Sequence, residues 1–107
     1  DFLYVQDTVD AILMCAQCEN AYGELFNVGN DKPSSFLDLA KIILRITDGG
    51  KREFAPFSPE RLAQEPGDFY SDISKIKKVT GWSPKVSLKS VIEKTIEYYK
   101  KYKRHYW

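Results

Sequence analysis

Three prolines, Pro56, Pro59 and Pro66, interrupt the middle of this 107-residue chain and limit where regular structure can run. Proline has no amide hydrogen to give to a ladder, so a strand through "REFAPF" (52–57) must be short or lie at an edge. Residues 58–69 read as a loop. The two sides of this break differ: strand-like and helix-like segments alternate before it, and two helices follow it.

Before the loop, "FLYV" (2–5) is β-prone, and Val9, Ile12, Leu13 and Ala16 then recur at helical spacing. That spacing predicts a helix over 8–18 with Asp7 as its N-cap. "GELFNVGN" (23–30) reads as a short apolar strand closed by Gly29, Asn30 and Asp31. Ser34 or Ser35 caps a second helix, with Phe36, Leu39, Ala40 and Ile43 on one face and "DGG" (48–50) as its stop. After the loop, Asp72 caps "ISKIKKV" (73–79), Gly81 suits the left-handed residue that ends a helix, and Trp82 folds back onto Ile76. Ser87 opens the last helix, whose buried face is Leu88, Val91, Ile92, Thr95, Ile96 and Tyr99. The order is an α/β one, a few short strands with about four helices.

Net charge is +1, but residues 1–72 carry 13 acids against 6 bases and residues 73–107 carry 2 acids against 10 bases. A basic C-terminal third suits nucleic acid or a phosphorylated ligand, and it equally suits the solvated side of a helix. No apolar run approaches the ~20 residues of a membrane span and no charged leader precedes an apolar core, so the chain reads as cytoplasmic with no membrane partner. Two cysteines are too few for a disulfide framework.

Candidate chemistry is sparse. Cys15 and Cys18 form a C-x-x-C, but both fall in a helical pattern and the single histidine, His105, sits in the tail. A closed zinc site needs four ligands, so these read as ordinary helix cysteines and no metal is expected. Tyr99 and Lys103 satisfy Y-x-x-x-K within "YYKKYK", where tyrosines and lysines are dense enough for chance to supply it. No Gly-rich phosphate loop lies between a strand and a helix. The chain therefore holds no dinucleotide site and no catalytic set of its own.

Four stretches in fixed order, "DFLYVQDTVDAI", "GELFNVGNDKPSSFLDLAKII", "EPGDFYSDISKIKKVTGWSPKVSL" and "VIEKTIEYYKK", resemble the C-terminal region of the NAD-dependent epimerase/dehydratases. These are UDP-glucose 4-epimerase-like extended short-chain dehydrogenase/reductases that act on nucleoside-diphosphate sugars. The resemblance implies a parent about three times this length, within the range of single α/β enzymes. In it, residues 1–30 are the last elements joining a Rossmann sheet and residues 31–107 form most of the small substrate-binding lobe. NAD and the catalytic Ser/Thr, Tyr and Lys belong to the rest of that parent, where hydride passes to bound NAD and back. This piece alone is expected to bind no cofactor and to be inactive.

The family's usual loop reads Arg-x-Gly-Asp, the Arg gripping the diphosphate. Here it reads Glu65-Pro66-Gly67-Asp68, so Gly67 and Asp68 match and the Arg does not. Asp68 is the candidate polar contact to the sugar nucleotide, with Tyr70 beside it to stack on a base or bond a hydroxyl; the alternative is that Asp68 only closes the turn and Tyr70 only packs. Arg61, four residues before Glu65 on the same loop, is the candidate replacement for the missing Arg. The expected partner is a nucleoside-diphosphate sugar and not nucleic acid. A fragment of a sheet should also leave "LFNV" and helix 8–18 sticky, giving self-association, with the parent a homodimer. The alternative is a free-standing binding module whose basic last helix contacts nucleic acid or a phosphorylated partner.

Overall fold

The computed structural model describes residues 1–65 and 67–106. It contains α1 (Val5–Gln17), α2 (Phe36–Thr47), α3 (Pro59–Gln64), α4 (Ser74–Thr80) and α5 (Leu88–Tyr102), with 3₁₀ turns at Glu19–Ala21 and Lys103–His105. Serine side chains cap three of the described helices, α2, α3 and α5, while α1 and α4 start without a side-chain cap. Ser35 accepts the amide of Asp38 at 3.0 Å to start α2, and Ser87 accepts that of Ser90 at 3.3 Å to start α5. Asp72 accepts the Ser74 amide at 2.9 Å at the head of α4. Gly81 ends that helix at φ +78°, returning its amide to the Lys77 carbonyl at 2.9 Å. α2 stops at "DGG" as expected, with Asp48 taking the left-handed conformation at φ 49°. Besides glycine, aspartate is one of the few residues that visits it.

The expected α/β class is corrected in one respect: no strand exists among the described residues. "FLYV" is irregular up to Tyr4 and helical from Val5, while "LFNV" and "REFAPF" run without regular structure. An extended segment becomes a strand only when another backbone lies alongside to complete its ladder, and no such neighbour exists among the described residues. The helix count rises instead, because α3 occupies part of the expected loop. Ser58 at its N-cap, accepting the Arg61 amide at 3.2 Å, and Pro59 in its first turn are a recognisable start signal. Pro66, in the Glu65–Asp68 turn, and Trp107, in the basic tail, lie outside the described residues.

The core sits where α1, α4 and Trp82 meet. Ala11, Ile73, Ile76 and Trp82 are buried, with Leu3, Met14, Cys15, Phe26 and Val28 packed around them. The fold-back of Trp82 onto Ile76 is thus present. α2 pairs with α5 in a second, looser layer, in which Leu88, Val91, Ile92, Thr95 and Ile96 are half-buried and Tyr99 is exposed. Large apolar side chains remain in water: Val5, Ile12, Leu13 and Leu25 are 69%, 63%, 53% and 79% exposed. The radius of gyration is 17.0 Å, against about 13 Å for a self-contained chain of this size. The surface is 8605 Å², against about 6100 Å². Among the described residues no helix is long and apolar enough to cross a membrane.

Among the described residues, Asp7 is the one buried charge. It is not the N-cap of α1, which starts two residues earlier behind Tyr4 with no side-chain cap. Its carboxylate reaches across the chain instead, accepting the amides of Lys85 and Val86, each at 3.2 Å, and its carbonyl accepts the Trp82 indole N–H at 3.0 Å. Both oxygens have partners, which is what permits a carboxylate to be buried. Removing the carboxylate orphans two amides, so Asp7→Ala should lower stability by about 2–3 kcal/mol. Asp7→Asn, which keeps one acceptor, should cost less. Urea unfolding of the three proteins checks this order.

Candidate functional site

Helix α3 sets the geometry at the start of the candidate loop. Its single full turn puts Arg61 and Glu65 on one face, where Nη2 of Arg61 lies 3.5 Å from Oε2 of Glu65. The Arg61 guanidinium also lies over the Phe57 ring, 5.9 Å from its centroid. Arg61 therefore sits beside the acid that stands in the place of the family's Arg. A guanidinium has five N–H donors, and most remain available beyond this one pair.

Gly67 follows at φ +79°, a left-handed turn that glycine takes without strain. Asp68, Phe69 and Tyr70 beyond it are exposed. Neither the Asp68 carboxylate nor the Tyr70 hydroxyl has a hydrogen-bond partner among the described residues. The loop is anchored by Asp1, whose Oδ2 accepts the Ser71 amide at 3.1 Å and whose Oδ1 accepts the Asn30 amide at 2.8 Å. The main-chain nitrogen of Asp1 donates to the Phe69 carbonyl at 3.4 Å, and Asn30 Nδ2 donates to the Phe2 carbonyl at 3.3 Å. Gly29 makes this approach feasible: a Cβ there would overlap Asp1 Oδ2 and stand 2.5 Å from Ser71 Oγ.

Beside the anchor lies an open cleft of about 430 Å³, lined by Asp31, Tyr70, Ser71, Asp72, Ile73, Ser74 and Lys77. Tyr70 lines it; Arg61 and Asp68 do not. The three expected contact residues are thus split, Tyr70 at the cleft, Arg61 on the α3 side and Asp68 on the turn between. Lys77 is a cleft residue that sequence reading left among the solvated lysines. The signal for it was available, since a helix capped at Asp72 puts Ser74 and Lys77 three residues apart on one face. A larger groove of about 530 Å³, lined by Ile42, Arg45, Ile46, Lys89 and Glu93, lies between α2 and α5, away from this loop.

The remaining sequence motifs have structural employment. Cys15 packs against the core, and the Cys18 thiol donates to the Val79 carbonyl at 3.5 Å. The Tyr99 ring meets Tyr98 and Tyr106 edge-on. Lys75 ties α4 to the extended segment through Glu24 at 2.7 Å and the Leu25 carbonyl at 3.0 Å.

Comparison with known proteins places these features in a lineage. The family model described as GDP-mannose 4,6 dehydratase matches residues 1–95. The uncharacterized UDP-glucose epimerase YtcB of Bacillus subtilis is 32% identical over 98 residues, which is 92% of this chain and 30% of that protein. UDP-glucuronic acid decarboxylase 1 of Arabidopsis thaliana is 32% identical over 96 residues, 89% of this chain and 21% of that protein. UDP-D-apiose/UDP-D-xylose synthase 2 of Arabidopsis thaliana is 30% identical over 115 aligned residues, 91% of this chain and 28% of that protein. The chain spans less than a third of the length of these relatives.

Several carboxylates are held below their ordinary values. The Ser74 backbone amide does this for Asp72, the Lys75 ammonium for Glu24, and the Ser35 hydroxyl with Lys41 for Asp38. A lowered folded value means that the unfolded chain binds protons first as pH drops, so this stabilisation is intact at neutral pH and lost in acid. The thermal midpoint should therefore fall as pH is taken below about 4.5, into the range where these carboxyls ordinarily protonate. Calorimetry across acid pH measures it.

Proposed function

Since the chain belongs to the GDP-mannose 4,6 dehydratase family, we propose that it is the C-terminal substrate-binding region of an NAD-dependent nucleoside-diphosphate-sugar epimerase or dehydratase. The observation that carries this reading is the family match from residue 1 to residue 95. Residues 1–30 join the nucleotide-binding sheet and residues 31–107 form the substrate lobe. In support, the 24–28 segment runs without regular structure, and Val5, Ile12, Leu13 and Leu25 are bare, as surfaces meant to meet a sheet would be. The large radius of gyration points the same way.

NAD serves the parent enzyme, and the residues of this chain do not fit it. Among the described residues no strand leads into a glycine-rich helix start, the arrangement that cradles a pyrophosphate. What this chain contributes is binding and orientation. Asp68 and Tyr70, exposed and without hydrogen-bond partners among the described residues, offer an acceptor and a hydroxyl-tipped ring to the sugar nucleotide. Arg61, beside Glu65, offers a planar guanidinium to the diphosphate. The parent is cytoplasmic and homodimeric in this reading.

The alternative of a nucleic-acid module is disfavoured by how the lysines are used. Lys75 and Lys89 are ion-paired with Glu24 and Glu93, and Lys94 and Lys101 lie over the rings of Tyr4 and Tyr102.

In the full-length protein, assayed with NAD and a panel of UDP- and GDP-sugars, Arg61→Ala should raise the substrate KM severalfold with little change in kcat, as expected for lost ground-state binding. Asp68→Ala should do the same. An unchanged KM removes that residue from the site. The isolated 107-residue chain should show no turnover and should self-associate in sedimentation experiments.

A further inference from the structure

We infer that Asp1 is a positioning residue for the sugar-nucleotide loop, acting through the amides of Ser71 and Asn30; this rests on the reading proposed above. The loop residues given to substrate, Asp68 and Tyr70, have no side-chain hydrogen-bond partners among the described residues to fix them. Their placement is left to the backbone, and the backbone is anchored immediately after them. One carboxylate spans two segments far apart in sequence, with Asn30 on Oδ1 at 2.8 Å and Ser71 on Oδ2 at 3.1 Å.

The two amides it holds also shape the cleft. Ser71 lines it directly, and so does Asp31, next to Asn30. Asp1 therefore ties together two segments that line the cleft without lining it itself. The contact tolerates no extra atom, because a Cβ on Gly29 would collide with Asp1 Oδ2 and with Ser71. Chemistry further restricts the residue. An amide in place of the carboxylate keeps one acceptor and turns an N–H₂ toward one of the two N–H groups, so Asn breaks half of the bridge while conserving volume.

The test uses the full-length protein and measures dissociation constants by titration calorimetry for UDP-glucose, UDP-glucuronate and GDP-mannose, with the thermal midpoint recorded for each variant. Asp1→Asn should weaken the sugar nucleotide that the unaltered protein binds by about tenfold, the size of one lost charge-assisted hydrogen bond. Asp1→Glu, which keeps both acceptor oxygens, should recover part of that loss. Asp10→Asn on α1, whose carboxylate only meets Gln6 Nε2 at 3.1 Å, should bind as the unaltered protein does. The inference is overturned if Asp1→Asn binds normally. It is equally overturned if affinity across all three variants simply follows the thermal midpoint, which is what a general structural role would give. If the unaltered protein binds none of the three sugar nucleotides, the underlying reading fails and this inference fails with it.

Discussion

A buried carboxylate, Asp7, holds the two ends of this chain together. It lies in the first turn of α1, yet its oxygens meet Lys85 and Val86 and its carbonyl meets Trp82, contacts that close loops of 75 to 79 residues. The entropy of closing such a loop grows only slowly with its length, so a few well-made hydrogen bonds and one large aromatic side chain can sustain it. Gly81 makes the arrangement reachable, because its left-handed turn swings Trp82 off the end of α4 and under α1. The amides that Asp7 accepts lie just before the Ser87 cap, so the same carboxylate directs α5 as it leaves the core.

Local signals in the sequence reveal the helices well. Ser35, Ser87 and Gly81 act at the ends assigned to them, since capping is decided within a few residues, whereas α4 has Ile73 at its N-cap and Asp72 one residue outside, reaching only the Ser74 amide. Two misreadings have physical causes. Asp7 looked like a cap because a cap and a long-range acceptor use the same side chain, and only the tertiary fold distinguishes them. "LFNV" looked like a strand because its composition is that of a strand, but pairing is a property of two segments and none of the described residues pairs with it. The short α3 was overlooked although Ser58 and Pro59 announce it; proline count outweighed proline position.

The candidate site was legible only in part. Gly67 and its turn follow from the residue itself, and the assignment of Asp68, Tyr70 and Arg61 came from resemblance rather than pattern. The pairing of Arg61 with Glu65 could be anticipated from their spacing of four once α3 is recognised. The Asp1 bridge could not, because nothing at residue 1 signals contact with residues 30 and 71. Asp1 and Asp7 thus do related work from one short stretch: one fastens the loop beside the cleft, the other fastens the core behind it.

A structure of the full-length protein bound to its nucleoside-diphosphate sugar tests the central claim most directly. The account predicts the nucleotide lying along residues 67–70, with Asp68 or Tyr70 within hydrogen-bonding distance, the Arg61 guanidinium turned toward the diphosphate, and Asp1 still bridging Asn30 and Ser71. A sugar nucleotide seated away from this loop, with Asp68, Tyr70 and Arg61 all facing solvent, would contradict it.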